Sequence, residues 1–331
     1  MKGKICGTGS CVPEQVLDNE ELSRMVDTSD AWIRERTGVV RRHIVREETT
    51  VSMAVSAARR ALENGNVSAE EVELLIVCTF TSEALLPCAA CEVQKRLGAV
   101  NAACFDLNAA CTGFMFAYNT AQAYIASGLC RTILLIGSES LSHMVDWEDR
   151  GTCILFGDGA GAVVLRSAPG EPPVSVMHSD GAAGGALTLQ SLHSGEFPQR
   201  CHGTADLPEK PAGAQNGYIQ MNGREVFQFA VKKVPEAIQE VLTLGGTECG
   251  QIDYFILHQA NKRIVESVAK RLHADAGKFP LNLQEYGNTS SASIPILLDE
   301  MHRDGRLRRG QTIVLAGFGA GLSWGASVLE W

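Results

Sequence analysis

The 331-residue sequence has no long apolar run, few aromatic residues and no excess of positive charge. No stretch approaches the roughly 20 apolar residues that span a bilayer. The first residues, MKGKICGTGSCVPEQV, include no apolar segment of signal-peptide length. We therefore expect a cytoplasmic protein without membrane contact. The formal net charge of −9 argues against nucleic acid as a partner.

Cysteine, in contrast, is plentiful, with eleven residues spread along the chain. Because the cytoplasm keeps thiols reduced, an odd and scattered set does not indicate a disulfide framework, and most should be small buried hydrophobes. Cys88 and Cys91 have the spacing of a redox motif. No second pair follows that would complete a zinc site, so packing is the favoured interpretation. A thiol redox protein built on this pair remains an alternative.

Short apolar runs alternate with stretches of helical periodicity, which is typical of an α/β protein whose strands are covered on both faces. The predicted strands are 74–77, 133–136, 162–165, 254–257 and 313–315. The predicted helices include 52–62, 89–97 and 263–272. The segment 192–217 is rich in Gly, Pro and polar residues and predicts a long surface loop.

The chain also repeats itself. VELLIVCT, EVQKRLG and SGLCRTILLIG are followed, in the same order and about 175 to 180 residues later, by IDYFILHQ, ESVAKRLH and DGRLRRGQTIVLAG. Three matches at a nearly constant offset predict a duplicated α/β unit with pseudo-twofold symmetry. We place the two halves at residues 1–170, with Cys111, and 171–331, with His258 and Asn288.

These three residues are the candidates for chemistry. Cys111 and Asn288 each precede a predicted helix, and their separation of 177 residues suggests that they are repeat mates; His258 ends a predicted strand. A helix start lowers the pKa of a thiol, and Gly113 would let backbone N–H groups approach an oxyanion. Three converging polar groups suit a nucleophile with its assistants. Taken singly, each also fits a plainer role: core cysteine, hydrogen-bonded core histidine, and helix-capping asparagine.

Two other motifs do not predict a functional site. The glycine-rich FGDGAGA runs into a strand and lacks the spacing of a dinucleotide site, and GSES is not a nucleophile elbow. Four basic residues follow His258 on one predicted helix: Lys262, Arg263, Lys270 and Arg271. They form either a solvated face or, on an acidic chain, a docking surface for an acidic protein.

Taken together, several motifs resemble those of the β-ketoacyl-acyl carrier protein synthase III family, the condensing enzymes that initiate bacterial type II fatty acid synthesis. The motifs cover the whole length: TSDAWIRERTG, NAACTGF, DRGTCILFGDGAGA, HSDG, HQAN, GNTSSAS and GFGAGLSWG. The resemblance implies an α/β, thiolase-like fold with duplicated α-β-α-β-α halves. It implies an acyltransferase that forms a homodimer and uses neither metal nor redox cofactor.

The resemblance also implies a ping-pong reaction. Cys111 would take an acyl group from an acyl-coenzyme A. Malonyl-acyl carrier protein would then lose carbon dioxide, with His258 and Asn288 hydrogen-bonding the thioester oxygen. Trp32 and Arg150 would hold the adenine, and Phe318 would favour decarboxylation. The implied contacts to coenzyme A and the acyl chain are Thr28, Trp32, Arg36, Arg150, Asn261, Phe318, Leu86, Phe156 and Leu187. The implied oxyanion hole uses Cys111 and Ala320, and the implied carrier-protein docking residues are Arg263, Lys270 and Arg271.

Two positions depart from the family pattern. Ala320 replaces a glycine beside the proposed oxyanion hole, which is tolerable only if its φ is negative. Leu86 stands where a large aromatic residue of the partner subunit can close the acyl pocket, which leaves acetyl, branched and longer starters open.

The motifs of related enzyme families fit the sequence less well. A thiolase needs a second cysteine in GFGAG, a hydroxymethylglutaryl synthase needs a glutamate near 79–81, and plant-type polyketide synthases are usually longer. A catalytically dead partner subunit would be expected to lose the cysteine or the histidine, and both are present. A specialised bacterial synthase of a secondary-metabolite or polyketide pathway remains the main alternative.

Overall fold

The computed structural model describes residues 1–190 and 217–331, so the predicted loop at 192–217 lies outside the described residues except for Gly217. Its strands are β1 (Lys2–Cys11), β2 (Val16–Asp18), β3 (Arg41–His43), β4 (Leu74–Cys78), β5 (Ala103–Leu107), β6 (Thr132–Glu139), β7 (Gly159–Ala168), β8 (Val174–Ser179), β9 (Leu187–Leu189), β10 (Ile219–Met221), β11 (Tyr254–Leu257), β12 (Thr312–Gly319) and β13 (Ser323–Glu330). Its α-helices are α1 (Asn19–Leu22), α2 (Asp30–Thr37), α3 (Thr50–Gly65), α4 (Ala89–Leu97), α5 (Gly113–Ala126), α6 (Gly223–Leu244), α7 (Lys262–Arg271), α8 (Leu283–Tyr286) and α9 (Ser293–Arg303).

Two sheets carry the architecture. The first has the order β1-β7-β6-β4-β5 and the second has the order β8-β13-β12-β11. In the first sheet, β1 pairs antiparallel with β7, β7 pairs antiparallel with β6, and β6 pairs parallel with β4. The second sheet repeats this pattern: β8 pairs antiparallel with β13, β13 pairs antiparallel with β12, and β12 pairs parallel with β11. The sheets are therefore mixed: β5, β4 and β6 run parallel in the first sheet, and β11 and β12 run parallel in the second.

Helices α5 and α9 lie between the two sheets. Apolar residues of both helices, such as Phe114 and Leu297, share one buried cluster with residues of β4, β6, β11 and β12. Helices α3 and α4 cover the outer face of the first sheet, and α6 and α7 cover the outer face of the second. The result is five alternating layers of helix and sheet. Within the described ranges, no helix is both long and apolar enough to cross a membrane.

Local sequence accounts for the helix boundaries. The side chain of Thr49 accepts the Ser52 N–H in a capping box at the start of α3, and Asn66 ends that helix in the left-handed conformation. Asn261 caps α7 by accepting the Arg263 N–H. The cap places Asn261 and the first residues of α7 directly after His258.

Near the candidate site, equivalent residues of the two halves are 180 positions apart in the sequence. A single turn, Ala110–Thr112, precedes α5, and an equivalent turn, Ser290–Ala292, precedes α9. Ala110 and Ser290 both have a left-handed φ, of 46° and 50°. Cys111 is therefore the mate of Ser291, and the interpretation of Cys111 and Asn288 as mates was wrong. The offset between α4 and α7 is shorter than 180 because the connections differ in length, and this difference shifted the register inferred from the sequence.

Candidate active site

Cys111 lies in the turn that joins β5 to α5, at the meeting point of two cavities. The large cavity has a volume of about 770 Å³ and the small cavity about 570 Å³, and the residue is 8% exposed. Gly319, at the end of β12, approaches the turn so closely that a Cβ there would lie 2.9 Å from the Cys111 nitrogen. The glycine thus lets the GFGAG segment pack against the nucleophile candidate.

Burial dominates the acidity of this thiol. It raises the pKa of Cys111 to about 12, and the charge of Glu139 also raises it. The Ser290 hydroxyl, which lies near the sulfur without meeting hydrogen-bond geometry, and the Cys111 N–H act in the opposite direction. The expectation that the helix start lowers the pKa of Cys111 was therefore wrong in its net direction, because desolvation of a buried thiolate outweighs the local N–H groups.

His258 follows β11 and is 2% exposed. Its Nδ1 lies 2.7 Å from the Ser293 hydroxyl, which also accepts the Gln259 N–H at 3.4 Å. Since Ser293 Oγ accepts from Gln259, its own proton can donate to Nδ1, which leaves the ring proton on Nε2. Burial lowers the pKa of His258 to about 3, so the imidazole is neutral at physiological pH. The Phe318 ring meets it edge-on, with 5.3 Å between centroids.

Asn288 is held by both its backbone and its side chain. Its N–H donates to the Leu155 carbonyl at 2.8 Å, and its carbonyl accepts the Gly157 N–H at 3.1 Å. Its Oδ1 accepts the Ser290 N–H at 2.9 Å, which leaves the amide NH₂ as a donor.

The three candidates meet on the small cavity. Cys111, His258, Asn288 and Phe318 all line it. A thiol, two neutral hydrogen-bond donors and an apolar ring therefore face one space, an arrangement that can bind a thioester carbonyl next to a sulfur nucleophile.

The outer part of the small cavity carries basic and aromatic groups. The guanidinium carbons of Arg36 and Arg150 lie 5.7 and 5.6 Å from the centroid of the Trp32 ring. Asn261 and Arg263 also line this cavity, and the Asn261 amide donates to the Arg36 carbonyl at 3.1 Å. An anionic ligand with a planar ring could therefore bind at this mouth.

Thr28 is placed differently. It does not line either cavity, and its buried hydroxyl finds no hydrogen-bond partner among residues 1–190 and 217–331. It directly precedes Ser29, whose side chain caps α2. The implied contact of Thr28 with coenzyme A stays a prediction.

The large cavity shares part of its lining with the small cavity. Phe156 and Leu187 line both cavities, and Ala320 and Leu85 line the large one. Ala320 does not have a positive φ, so it is not strained there. Leu86 does not line the cavity and is 88% exposed, which leaves its side chain available to another subunit.

The remaining basic candidates lie on α7. Arg263 stacks over Phe227, with its guanidinium carbon 5.5 Å from the ring centroid. Lys270 and Arg271 are exposed on the last turn and lie outside the small cavity. Arg263 therefore connects the cavity mouth to the exposed basic surface of α7.

Two family models match the sequence. One, described as 3-Oxoacyl-[acyl-carrier-protein (ACP)] synthase III, matches residues 105–185, and the other, described as the C terminal part of the same synthase, matches residues 242–331. They cover just over half of the chain, including all three candidate residues. The chain belongs to the 3-oxoacyl-acyl carrier protein synthase III family.

Full-length relatives agree. The chain is 47% identical to the β-ketoacyl-acyl carrier protein synthase III of Clostridium acetobutylicum, over 99% of this chain and 98% of the relative. It is 48% identical to that of Desulfitobacterium hafniense, over 99% and 97%. The crystal structure of the synthase III from Aquifex aeolicus matches with a TM-score of 0.90 and 41% identity, over 99% of this chain and 100% of that chain. The expected thiolase-like fold and the assignment as an acyl-transferring condensing enzyme are confirmed.

A polyketide enzyme is also similar. The priming β-ketosynthase of a polyketide biosynthetic pathway matches with a TM-score of 0.90 and 33% identity, over 99% of this chain and 96% of that chain. Its identity to this chain is lower than the 47% and 48% of the two full-length synthase III relatives given above. Fold similarity alone does not distinguish the two kinds of pathway.

The sequence did not single out three residues that support this synthase III site. Ser293 bonds His258, Ser290 borders Cys111, and Glu139 is fully buried nearby. Two features of the sequence could have pointed to them: the serines of GNTSSAS, and the glutamate at the end of the apolar strand TILLIGSE. Their roles depend on contacts between the halves, which sequence spacing does not reveal.

Proposed function

We propose that this enzyme condenses an acyl-coenzyme A starter with malonyl-acyl carrier protein to give 3-ketoacyl-acyl carrier protein, carbon dioxide and coenzyme A. It thereby initiates type II fatty acid synthesis. The observation that carries the proposal is the convergence of Cys111, His258 and Asn288 on one cavity that Trp32 and Arg36 also line, with Arg150 packed against Trp32. Coenzyme A enters as part of a substrate, and the proposed reaction uses neither metal nor redox cofactor.

In the first half-reaction, Cys111 Sγ attacks the thioester carbonyl of the acyl-coenzyme A. The carbon–sulfur bond to coenzyme A breaks, and coenzyme A leaves as a thiol with the proton that Cys111 gave up. Backbone N–H groups at Cys111 and Ala320 stabilise the oxyanion. The neutral resting thiol means that proton loss accompanies the attack.

In the second half-reaction, malonyl-acyl carrier protein loses carbon dioxide. The electron pair of the broken carbon–carbon bond becomes an enolate whose oxygen accepts hydrogen bonds from His258 Nε2–H and the Asn288 amide. Phe318, beside His258, favours departure of the uncharged carbon dioxide. The enolate carbon then attacks the acyl-Cys111 carbonyl, and the carbon–sulfur bond breaks. Cys111 leaves as a thiolate, which takes up a proton from water and returns to the neutral thiol.

The surrounding residues bind the two substrates. Trp32 and Arg150 hold the adenine, and Thr28, Arg36 and Asn261 lie nearby along the coenzyme A tunnel. Phe156, Leu187 and the partner's copy of Leu86 border the acyl chain. The acidic carrier protein docks on Arg263, which lines the small cavity, and on Lys270 and Arg271 in the last turn of the same helix.

A homodimer is part of the proposal. Strand β5 is the last strand of its sheet, so its outer edge has no partner strand in the first sheet. Nearby, Leu85, Leu86 and Val100 are 81%, 88% and 73% exposed. Pairing of this edge with a second copy would cover these residues and bring Leu86 to the other subunit's acyl cavity. The division at residue 170 and the cytoplasmic location stay predictions.

An assay with a set of acyl-coenzyme A starters distinguishes the proposed function from its main alternative, a specialised polyketide-type synthase. Acyl-coenzyme A starters from acetyl to branched and medium chain are assayed with malonyl-acyl carrier protein, and 3-ketoacyl products are identified by mass spectrometry. Turnover of acetyl or short branched starters supports initiation of fatty acid synthesis. Exclusive turnover of an unusual starter would instead support a specialised polyketide-type synthase, and no condensation with any starter would refute the proposal.

A further inference from the structure

A buried carboxyl lies close to the Cys111 turn and has no part in the reaction proposed above. Glu139 ends β6 and is 0% exposed. Among residues 1–190 and 217–331, its hydrogen-bond partners are hydroxyls and a backbone N–H, and none of them is a cation. A carboxyl held this way requires a physical reason, because burial of an unpaired carboxylate is costly.

The two oxygens of Glu139 have different surroundings. Oε2 accepts from the Thr79 hydroxyl at 3.1 Å, the Phe80 N–H at 3.3 Å and the Thr81 hydroxyl at 2.8 Å. Within the described parts of the chain, Oε1 has one hydrogen-bond partner, the Ser291 hydroxyl at 3.1 Å. Three donors therefore satisfy one oxygen, and the other oxygen faces one hydroxyl that could either donate or accept.

The proton count at Ser291 decides between these roles. Its Oγ lies 2.9 Å from the Cys78 carbonyl and 3.1 Å from Glu139 Oε1, yet a hydroxyl has a single proton. An ionised Glu139 would leave the two acceptors to share the single Ser291 proton. A proton on Glu139 Oε1, donated to Ser291, would instead let Ser291 donate fully to Cys78. Burial acts in the same direction, since it raises the pKa of Glu139 to about 7 although its donors lower it.

Ser291 belongs to a segment that contacts all three proposed catalytic groups. We call residues 288–293 the serine turn. Within it, Asn288 accepts the Ser290 N–H, Ser290 borders Cys111 on the large cavity, and Ser293 bonds His258. Ser291 packs beside Gly113, where an added Cβ would lie 3.4 Å from the Ser291 Cβ. A group that fixes Ser291 therefore fixes the serine turn against the start of α5.

We propose that Glu139 is a positioning residue that works as a neutral acid: it donates its proton to Ser291 and so holds the serine turn against the Cys111 turn. The inference rests on the proposed role of Cys111 as nucleophile. Ionisation of Glu139 would remove the donor to Ser291 and place a negative charge near the thiol. The titratable groups that face it are the thiols of Cys78 and Cys111, whose pKa values its charge raises; the loop 79–81 and the serine turn present hydroxyls and backbone groups.

The first test observes the proton directly. Infrared spectra of wild type and Glu139→Gln are recorded in D₂O across the neutral range, and their difference isolates the carboxyl of residue 139. A protonated-carboxyl band in the wild type below neutrality, replaced by a carboxylate band as pD rises, is the expected result. Carboxylate absorption at pD 5.5 would overturn the proposal. Ser291→Ala tests the same contact if Glu139→Gln does not fold. A carboxyl band of Glu139 that does not shift in Ser291→Ala would also overturn the proposal.

The second test measures the effect on the nucleophile. The rate of Cys111 alkylation by iodoacetamide is followed by peptide mass spectrometry from pH 5.5 to 9. In the wild type the logarithm of the rate should rise with unit slope and then flatten as Glu139 ionises, whereas Glu139→Gln should keep unit slope. Glu300→Gln is the matched control, because that carboxyl bonds Asn282 and Arg306 away from the site; it should follow the wild type. Flattening that persists in Glu139→Gln would contradict the proposal.

Neither test depends on turnover. The infrared band and the alkylation rate are measured without acyl-coenzyme A or carrier protein, so a failure of the proposed condensation leaves both results interpretable. Conversely, an enzyme that condenses normally but shows an ionised Glu139 at pD 5.5 would refute only this inference.

Discussion

At the scale of the residue, burial moves the pKa values of His258 and Cys111 in opposite directions, to about 3 and about 12. Both groups are therefore neutral near pH 7. The resting site contains a thiol and a neutral imidazole rather than a thiolate–imidazolium pair. A neutral imidazole with its proton on Nε2 is suited to donate a hydrogen bond to a developing enolate, which is the role proposed for it with Asn288.

The division of labour between these residues is testable by substitution. His258→Ala and Asn288→Ala should each accept label from radiolabelled acetyl-coenzyme A, because acylation uses Cys111. Each should decarboxylate malonyl-acyl carrier protein about 10² to 10³-fold more slowly, since one donor to the enolate oxygen is lost. Carbon dioxide release measured in parallel with acylation checks this. Equal losses in both half-reactions would contradict the assignment.

The neutral state of His258 has a consequence for stability. Its pKa is about 3 in the folded protein and 6.5 for an unperturbed histidine, so the unfolded chain binds more protons between these values and stability falls as pH falls below 6.5. At pH 5.5 the loss from this residue should approach about 1.4 kcal/mol relative to pH 7.5. Urea unfolding of wild type and His258→Asn at both pH values measures it. The variant should lose less stability over this range; an equal loss would show that His258 is not held neutral.

The three proposed catalytic residues could be found from the sequence, but their supports could not. Cys111, Asn288 and His258 stand at the ends of recognisable strands or before helices. Glu139 and Ser291, however, meet across 152 residues of chain, and His258 and Ser293 across 35. Hydrogen bonds of this kind follow from the packing of the two sheets on α5 and α9, which periodicity does not encode.

At the scale of the element, the strands and helices predicted from apolar periodicity all occur, and the repeat correctly indicated two similar halves. The predicted pairing of Cys111 with Asn288 was wrong, because the connections between the repeated motifs differ in length in the two halves and the offset therefore varies along the chain. The left-handed φ values at Ala110 and Ser290, which fix the true register, leave no clear sequence signal.

The close approach of β12 to the Cys111 turn gives a prediction at this scale. Gly319→Ala would place a Cβ 2.9 Å from the Cys111 nitrogen and 3.0 Å from its Cβ, so the turn must shift. A displacement of this order should slow acylation about 10²-fold. Gly250→Ala is the matched control, because a Cβ there would meet no atom within 4 Å. Label uptake from acetyl-coenzyme A measures both, and normal acylation of Gly319→Ala would show that this packing is not needed.

At the scale of the molecule, charge distribution matters more than net charge. The chain has a net charge of −9, yet the exposed end of α7 carries Lys270 and Arg271 and leads through Arg263 to the cavity mouth. A local basic surface on an acidic protein favours one orientation of an acidic partner. The sequence predicted the basic residues of α7, and the fold places Arg263, in the first turn of that helix, on the lining of the small cavity.

Reversal of this charge should affect one substrate selectively. The double variant Lys270→Glu and Arg271→Glu should raise KM for malonyl-acyl carrier protein about tenfold, and less so at high salt, while acylation by acyl-coenzyme A is unchanged. The matched control is Lys95→Glu with Arg96→Glu, the exposed pair at the corresponding end of α4. Steady-state kinetics at two salt concentrations distinguish the pairs. An equal effect of both double variants would indicate a general charge effect instead of docking.

The central claim is that Cys111 carries the acyl group. Wild-type enzyme and Cys111→Ala are incubated with acetyl-coenzyme A labelled in the acetyl group, denatured and separated from small molecules, and the labelled peptide is identified. We predict one acetyl group per active site on the peptide containing Cys111 and no label on Cys111→Ala. Label that survives the substitution, or that lies on another cysteine such as Cys88 or Cys91, would contradict this claim.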